Sequence, residues 1–206
     1  MPEPDDFLNV TVTQLEMGRP EVTAPVRPPA MQHALTFQRL REPTPSFYRY
    51  LYETVGEPWL WYERRNTDDD SLRSIICDEN ISVVALYYGG VPAGFAELDA
   101  RIIASKPHDA SLLAYFGLVP DFIGCGLGRF FLDATIHVAW EIFPADRLVV
   151  RTCTLDHPAA LPLYQKCGFV PTGQQSTRIP DPRKNGLLPP DAGPEKILAR
   201  GTPNRR

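Results

Sequence analysis

The sequence lacks the features that define several large classes of protein. It contains no run of about 18 apolar residues, so no helix is expected to span a membrane. Its formal net charge is -4, which does not favour binding to nucleic acid or to an anionic membrane surface. Residues 1–9 are acidic and lack the apolar segment of a signal peptide. A cytoplasmic location is therefore the default expectation.

Cysteine is scarce and is not arranged for metal binding. The four cysteines are Cys77, Cys125, Cys153 and Cys167. No two of them form a CxxC pair, and no histidine has the spacing of a shared zinc site. We therefore expect buried free thiols in a reducing compartment, and no metal.

Proline is sparse in the middle of the chain and dense at both ends. Of 22 prolines, 15 lie outside residues 46–170, so regular structure is expected mainly in the middle. This distribution predicts an irregular extension over 1–33 that contains a short strand at 10–17, a main domain over 34–175, and a flexible Pro/Gly-rich tail over 176–206.

Hydrophobic periodicity and turn residues predict the elements of the main domain. Strands are predicted at 34–40, 81–88, 91–99, 112–119 and 148–153, and another begins at 169. A helix is predicted at 47–54 after a Ser46 cap. A second helix, capped by the acidic run that begins at Asp68 and ends at Ser71, is predicted to continue to about residue 77. Two more are predicted at 126–143 and at 158–166. The strand–helix–strand unit over 112–153 predicts a parallel strand pair.

An aromatic group occurs early in this domain, comprising Tyr48, Tyr52, Trp59, Trp61 and Tyr62. Two interpretations stay open for it. The rings could line a ligand pocket, or they could form the core beneath the first two helices.

The most informative segment joins the strand over 112–119 to the longest helix. It contains Gly124, Gly126 and Gly128, followed by Arg129. Glycines let a ligand approach bare backbone amides, and the first amides of a helix are unpaired, so the turn is suited to a diphosphate. The spacing is GxGxG rather than the GxGxxG of a dinucleotide site, and no Gly-Lys-Ser/Thr follows as in a Walker A loop.

A second segment, residues 156–169, follows the next strand. Together the two segments resemble the GNAT superfamily of N-acetyltransferases. Gly126 and Gly128 match the glycines of that family's diphosphate loop. The family's later segment is matched by Ala160, Leu163, Tyr164, Lys166, Gly168 and Phe169. The resemblance covers residues 81–170 well and residues 34–80 only by element order.

The resemblance implies an α+β sandwich, with a mixed and mostly antiparallel sheet that contains a splayed parallel strand pair and is flanked by helices. It implies an acyl-CoA-dependent N-acyltransferase that moves an acetyl group directly from acetyl-CoA, as co-substrate, to a primary amine. The acceptor would be a small molecule or a peptide, and the resemblance allows a homodimer.

The resemblance also implies roles for individual residues. Tyr164 would protonate the leaving thiolate, and Glu97, with Asp99 as the alternate, would be the general base. The pantetheine arm would lie along Gly117, Leu118 and Val119. The diphosphate would bind over Gly124, Cys125, Gly126, Leu127, Gly128 and Arg129, where Cys125 is not expected to act as a nucleophile.

Two positions depart from the family pattern. Ile123 stands where Arg or Gln is usual, so one diphosphate contact is lost or is supplied by Arg129. His157 stands where Asn is usual and is interpreted as a helix-entry residue rather than a catalytic one. Two alternatives remain open, namely a non-catalytic acyl-CoA-binding module and a nucleotide-binding oxidoreductase.

Overall fold

A computed structural model of the chain describes residues 6–21, 26–101 and 110–195. The region between the strands predicted at 91–99 and 112–119 is described only in part, and the end of the predicted tail lies outside these residues. The described part contains one seven-stranded sheet and four α-helices. The strands are β1 Phe7–Gly18, β2 Leu35–Leu40, β3 Ile81–Tyr88, β4 Val91–Asp99, β5 Ala110–Leu118, β6 Arg147–Cys153 and β7 Val170–Pro180. The helices are α1 Pro45–Gly56, α2 Asp69–Ile76, α3 Leu127–Ile142 and α4 Ala160–Lys166.

The sheet has the strand order β2-β3-β4-β5-β6-β1-β7. Of its pairs, only β5 with β6 is parallel, and α3 makes the crossover between them. This parallel pairing ends at Leu113 and Val150, after which the two strands separate. The predicted mixed, mostly antiparallel sheet with a splayed parallel pair is confirmed.

Helices cover both faces of the sheet, because alternate residues of the central strands are apolar on each side. Val83, Ala85 and Phe95 pack with α1 and α2 on one face. Val84 and Leu86 pack with α3 on the opposite face, in a cluster that also contains Tyr164 of α4. None of the helices in the described part is long and apolar enough to cross a membrane.

The helix starts follow from capping chemistry. Thr44 caps α1, because its hydroxyl accepts a hydrogen bond from the Phe47 amide at 3.3 Å and Pro45 occupies the first turn. The predicted Ser46 cap is therefore wrong, and the helix begins at Pro45 rather than at the predicted residue 47. The predicted Asp68 cap of α2 is confirmed by a 2.9 Å bond to the Ser71 amide.

The first strand is an integral part of the sheet. β1 pairs with β6 on one side and with β7 on the other. Directly after it, the Arg19 guanidinium donates to the carbonyl oxygens of Trp140, Phe143 and Ala145 at the end of α3. Such charge-assisted bonds satisfy carbonyls that a helix end leaves unpaired.

The C-terminal boundary also differs from the prediction. β7 continues to Pro180 and, as an edge strand, tolerates proline because one side of its backbone needs no partner. Beyond it, Leu188 and Ala192 are buried against Leu60. The predicted boundaries at residues 33/34 and 175/176 therefore do not coincide with the limits of the sheet or of the packed structure.

The four cysteines are free thiols, but they are not buried. Cys77 is exposed, and Cys125, Cys153 and Cys167 are half-buried. Cys77 ends α2 at the protein surface, and its exposure was not predicted.

Candidate functional site

The separation of β5 from β6 opens a cavity of about 750 Å³. One wall is residues 113–118 of β5, and the other contains Arg151, Thr152 and Cys153 of β6. The glycine turn before α3 lies at the cavity, and so do α4 and the segment 59–63. The splay thus brings together parts of the chain that are distant in sequence.

The β5 wall presents backbone groups that have no strand partner on the cavity side among the residues that the structure describes. The Val119 amide donates to the Ala93 carbonyl of the neighbouring segment at 3.0 Å. Because bonding direction alternates along a strand, Gly117 also faces β4, whereas Phe116 and Leu118 direct their backbone groups towards the cavity. Of the three residues predicted to hold a pantetheine arm, Leu118 is the one so oriented, and Val119 does not line the cavity.

Two local features shape this wall. The β4–β5 register shifts between Glu97 and Leu98, which leaves Ala114 as an extra residue in a bulge that re-aims the backbone beside the cavity. Gly117 is required for packing, since a Cβ atom there would lie 2.6 Å from Val55 Cγ1. Gly117 therefore lets α1 approach β5 closely.

The glycine turn has the geometry that the sequence predicts for an anion site. Gly124 and Gly126 have φ values of +81° and +80°, a conformation that favours glycine. Gly126 precedes the first turn of α3 and offers no capping side chain, so the first amides of that helix stay available and carry the positive end of its dipole. Gly124, Gly126 and Gly128 all line the cavity.

The flanking residues of the turn have separate environments. The Arg129 side chain lies at the cavity, is 56% exposed, and pairs with Asp133 at 2.8 Å. Ile123 also lines the cavity, whereas the Leu127 side chain is buried in the core. The Cys125 thiol faces the Asp121 carbonyl, so only the backbone of Cys125 and Leu127 is suited to ligand contact.

Tyr164 of α4 lies in the cavity wall. Its ring packs edge-on against Phe116 and Phe169, with centroid distances of 6.2 and 5.9 Å. Burial, together with the nearby Asp156 and Cys167 groups, raises the pKa of the Tyr164 hydroxyl well above its usual value. The hydroxyl consequently stays protonated at neutral pH and can act as a hydrogen-bond donor.

The structure does not bring Glu97 to the cavity. Glu97 is fully buried on the α1 face of β4, where its two carboxylate oxygens accept hydrogen bonds from Tyr48 and, at 2.8 Å, from Arg64. Asp99 forms a bidentate pair with Arg101, whose Nε donates to Oδ1 and whose second terminal nitrogen donates to Oδ2, and Asp99 is likewise absent from the cavity lining. Neither carboxylate has a direct route to a ligand in the cavity.

The aromatic group divides between the two interpretations that the sequence left open. Trp59, Trp61 and Tyr62 line the cavity. Tyr48 and Tyr52 are fully buried in the core beneath α1. The two groups separate because the 3₁₀ turn at Glu57–Trp59 carries the chain away from α1, so the rings after it reach the cavity while those on α1 stay in the core.

Sequence reasoning missed two carboxylates that line this cavity, Glu63 and Asp156. The Asp156 carboxylate accepts hydrogen bonds from the Thr152 hydroxyl at 2.7 Å and from the Cys153 amide at 2.8 Å. Its position directly after a buried strand, on the turn that leads to α4, was the available signal.

His157 lies beside Asp156 and also lines the cavity. Its Nδ1 accepts a hydrogen bond from the Ala159 amide at 3.0 Å, and burial lowers the pKa of the ring. The neutral ring therefore carries its hydrogen on Nε2. This contact fits the predicted helix-entry role, although the ring also borders the cavity.

Comparison with known proteins agrees with this architecture. Residues 38–169 match the model of the acetyltransferase (GNAT) family. Curated protein sequences give no match. Among solved structures, a GCN5-related N-acetyltransferase from Sphaerobacter thermophilus aligns with a TM-score of 0.59 and 12% identity, over 85% of this chain and 53% of its own. A GCN5-related N-acetyltransferase from Kribbella flavida gives 0.54 and 16%, over 86% and 60%.

A third similar structure is an aminoglycoside acetyltransferase from an uncultured soil metagenomic sample, in complex with sisomicin. It aligns with a TM-score of 0.51 and 17% identity, over 65% of this chain and 87% of its own. By contrast, the chain spans only 53% and 60% of the two GCN5-related structures. Because the family model covers more than half of the chain, from β2 to the start of β7, this protein belongs to the GNAT acetyltransferase family.

Proposed function

We propose that this protein transfers an acetyl group from acetyl-CoA to a primary amine by direct attack of the amine on the thioester. The observation that carries the proposal is the continuity of the cavity. It joins the glycine turn, the open backbone edge of β5 and Tyr164 in one space. An extended acyl-CoA needs an anion site, a strand-like edge and a thioester site in that order.

The donor end would be held mainly by backbone groups. The diphosphate would lie over Gly126 and Gly128, at the positive end of α3. Arg129 already has Asp133 as a partner, so it would contribute only a shared charge contact. The pantetheine arm would form hydrogen bonds with the cavity-facing backbone groups of Phe116 and Leu118, like an added strand.

The reaction itself would need three contributions from the protein, namely oxyanion stabilisation, protonation of the leaving thiolate and deprotonation of the amine. A backbone amide near the bulge at Ala114 would stabilise the developing oxyanion, since preorganised donors act most strongly away from water. The Tyr164 hydroxyl would donate to the thiolate as it leaves. The amine must also lose a proton, because an ordinary alkylamine with a pKa near ~10.4 is mostly protonated at neutral pH.

The acceptor would enter beside Trp59, Trp61 and Tyr62. Aromatic rings attract ammonium groups through cation–π interactions and provide apolar contact for the rest of a small amine. The similar aminoglycoside acetyltransferase supports a small-molecule amine as the acceptor class.

Isothermal titration with acetyl-CoA, using NADH as the control ligand, tests the donor assignment. Binding of acetyl-CoA alone is expected. A screen with 2-phenylethylamine, spermidine, kanamycin and a lysine peptide, measured by release of free thiol, then tests transfer. Failure of folded protein to bind acetyl-CoA would refute the proposal, and preferential binding of NADH would favour the oxidoreductase alternative.

A further inference from the structure

One carboxylate on the cavity wall has a free oxygen. Both hydrogen bonds to Asp156, from Thr152 and from Cys153, end on Oδ2. Among the described residues, Oδ1 has neither a hydrogen-bond partner nor an ion pair, and it does not belong to the buried unsatisfied atoms. The carboxylate is thus fixed through one oxygen while the other stays open to the cavity.

Glu97 shows the opposite arrangement. Each of its oxygens accepts a hydrogen bond, one from Tyr48 and one from Arg64, and its exposed fraction is 0%. The Arg64 charge compensates Glu97, so proton uptake by Glu97 would have to break a buried ion pair. A proton acceptor needs hydrogen-bond reach to its substrate. Asp156 lines the cavity in which the amine would bind, whereas Glu97 does not.

The remaining polar groups around Asp156 do not compete for the role. His157 offers no free lone pair, because Nδ1 already accepts from the Ala159 amide. Burial raises the pKa of the Cys153 thiol, which keeps it protonated. Arg151 is exposed on the same wall and donates to the Gln14 side chain at 3.4 Å.

The second cavity carboxylate differs in position and partners. Glu63 is exposed, and it accepts hydrogen bonds from the Tyr52 hydroxyl at 3.0 Å and from the Tyr62 amide at 3.3 Å. Asp156, in contrast, lies close enough to Tyr164 to raise the pKa of that hydroxyl. Asp156 also lies on the turn that leads to α4, the helix that carries Tyr164, and both residues line the cavity. Asp156 is therefore the cavity carboxylate on the segment that supplies the proposed proton donor to the thiolate.

We infer that Asp156 accepts the proton that the reacting ammonium must lose before it attacks the thioester. This inference rests on the proposed function. One N–H proton moves to Asp156 Oδ1, and the nitrogen lone pair then forms the bond to the acyl carbon. The C–S bond breaks as the tetrahedral adduct collapses, the thiolate leaves with the electron pair, and Tyr164 protonates it. The second nitrogen proton re-protonates Tyr164 through solvent, and Asp156 returns its proton to solvent.

The electrostatic surroundings match this role. Burial raises the pKa of the Asp156 carboxyl, the hydrogen bonds from Thr152 and Cys153 lower it, and the nearby Glu63 raises it further. The net shift is upward, which brings a carboxylate closer to the pKa of an effective general base.

The variant Asp156→Asn tests the inference with little change in shape. Its amide oxygen can still accept from Thr152 and Cys153, so the acetyl-CoA dissociation constant and the melting temperature are expected to stay near those of the wild type. With an active amine from the screen, kcat/KM is expected to fall by about 10²–10⁴-fold, the usual contribution of general base catalysis. With hydroxylamine, which is neutral at pH 7.5, the loss is expected to be less than about tenfold, because no ammonium proton has to be removed.

Glu141→Gln is the matched control, since this exposed α3 carboxylate pairs only with His137 in the described structure. It is expected to leave both rates unchanged. Equal losses of Asp156→Asn with both acceptors would overturn the base assignment, as would full activity of that variant beside a strong loss in Glu97→Gln. A wild type that binds acetyl-CoA but turns over no amine would refute the proposed function instead.

Discussion

Replacing Arg64 with methionine should destabilise the fold severely, because it would leave the buried Glu97 carboxylate without its counterion. Arg64 is 17% exposed and Glu97 is 0% exposed, so solvent screens this pair very little. Removal of one partner from a buried pair costs about 3–5 kcal/mol of unfolding free energy. At about 2–4 °C per kcal/mol for a chain of this size, the melting temperature should fall by roughly 6–20 °C.

The second substitution, Glu97→Gln, separates the charge from the packing. An amide at residue 97 can still accept from Tyr48, so the double variant Arg64→Met/Glu97→Gln should be more stable than Arg64→Met alone. Thermal and urea unfolding of the wild type, both single variants and the double variant form a complete cycle. The surface pair supplies the control, since Asp69→Asn removes an exposed partner of Arg49 and should cost at most about 1 kcal/mol. Additivity of the two substitutions within about 0.5 kcal/mol would show that the buried charges do not depend on each other.

Three further predictions follow from local geometry. Gly128→Ala should keep or slightly raise the free energy of unfolding, because alanine favours a helix and its Cβ would lie at an ordinary contact distance of 3.5 Å from Leu163. Calorimetry should nevertheless show acetyl-CoA binding that is at least about tenfold weaker, because the added methyl group crowds the diphosphate. Tyr164→Phe should lower kcat by about 10²–10⁴-fold while acetyl-CoA affinity persists, because the general acid is lost. An unchanged kcat would show that the hydroxyl takes no part in the mechanism. The hydrogen bond from Arg183 holds the pKa of Asp181 below its usual value. The stabilisation from this pair is therefore fully present at a pH above the unfolded-state pKa near ~3.9, and it is lost as the pH falls through the lower folded-state pKa. Urea midpoints at pH 5 and pH 3 should therefore differ less in Asp181→Asn than in the wild type.

Much of the architecture could be predicted because its signals are local. The β-branched and aromatic content of β3 and the turn at Gly89 and Gly90 before β4 define a hairpin within about 20 residues. The glycine turn is equally local, since the left-handed φ of Gly124 and Gly126 is a requirement on those residues themselves. The roles of these glycines and of Tyr164 in acyl transfer stay predictions until ligand binding is measured.

The N-terminal strand shows where local signals end. Residues 7–18 alternate imperfectly and precede a proline-rich loop, so the sequence predicted only a short strand in an extension. In the fold this segment lies between β6 and β7 and satisfies the backbone groups of both. Strand pairing is decided by partners 129 or more residues away, from Gly18 with Arg147 upwards, which no sequence window contains.

The sequence by itself determined the family, the order of the elements and the glycine turn, because each depends on residue types at short fixed spacings. The tertiary structure alone decided which carboxylate meets the cavity. Tyr48 and Arg64 come from separate segments and enclose Glu97, whereas the splay of β5 from β6 leaves Asp156 with an open oxygen. Whether a carboxylate is accessible and whether its charge is compensated depend on the residues that the fold places around it. The alternation of side chains along β4 therefore could not show that Glu97 is enclosed.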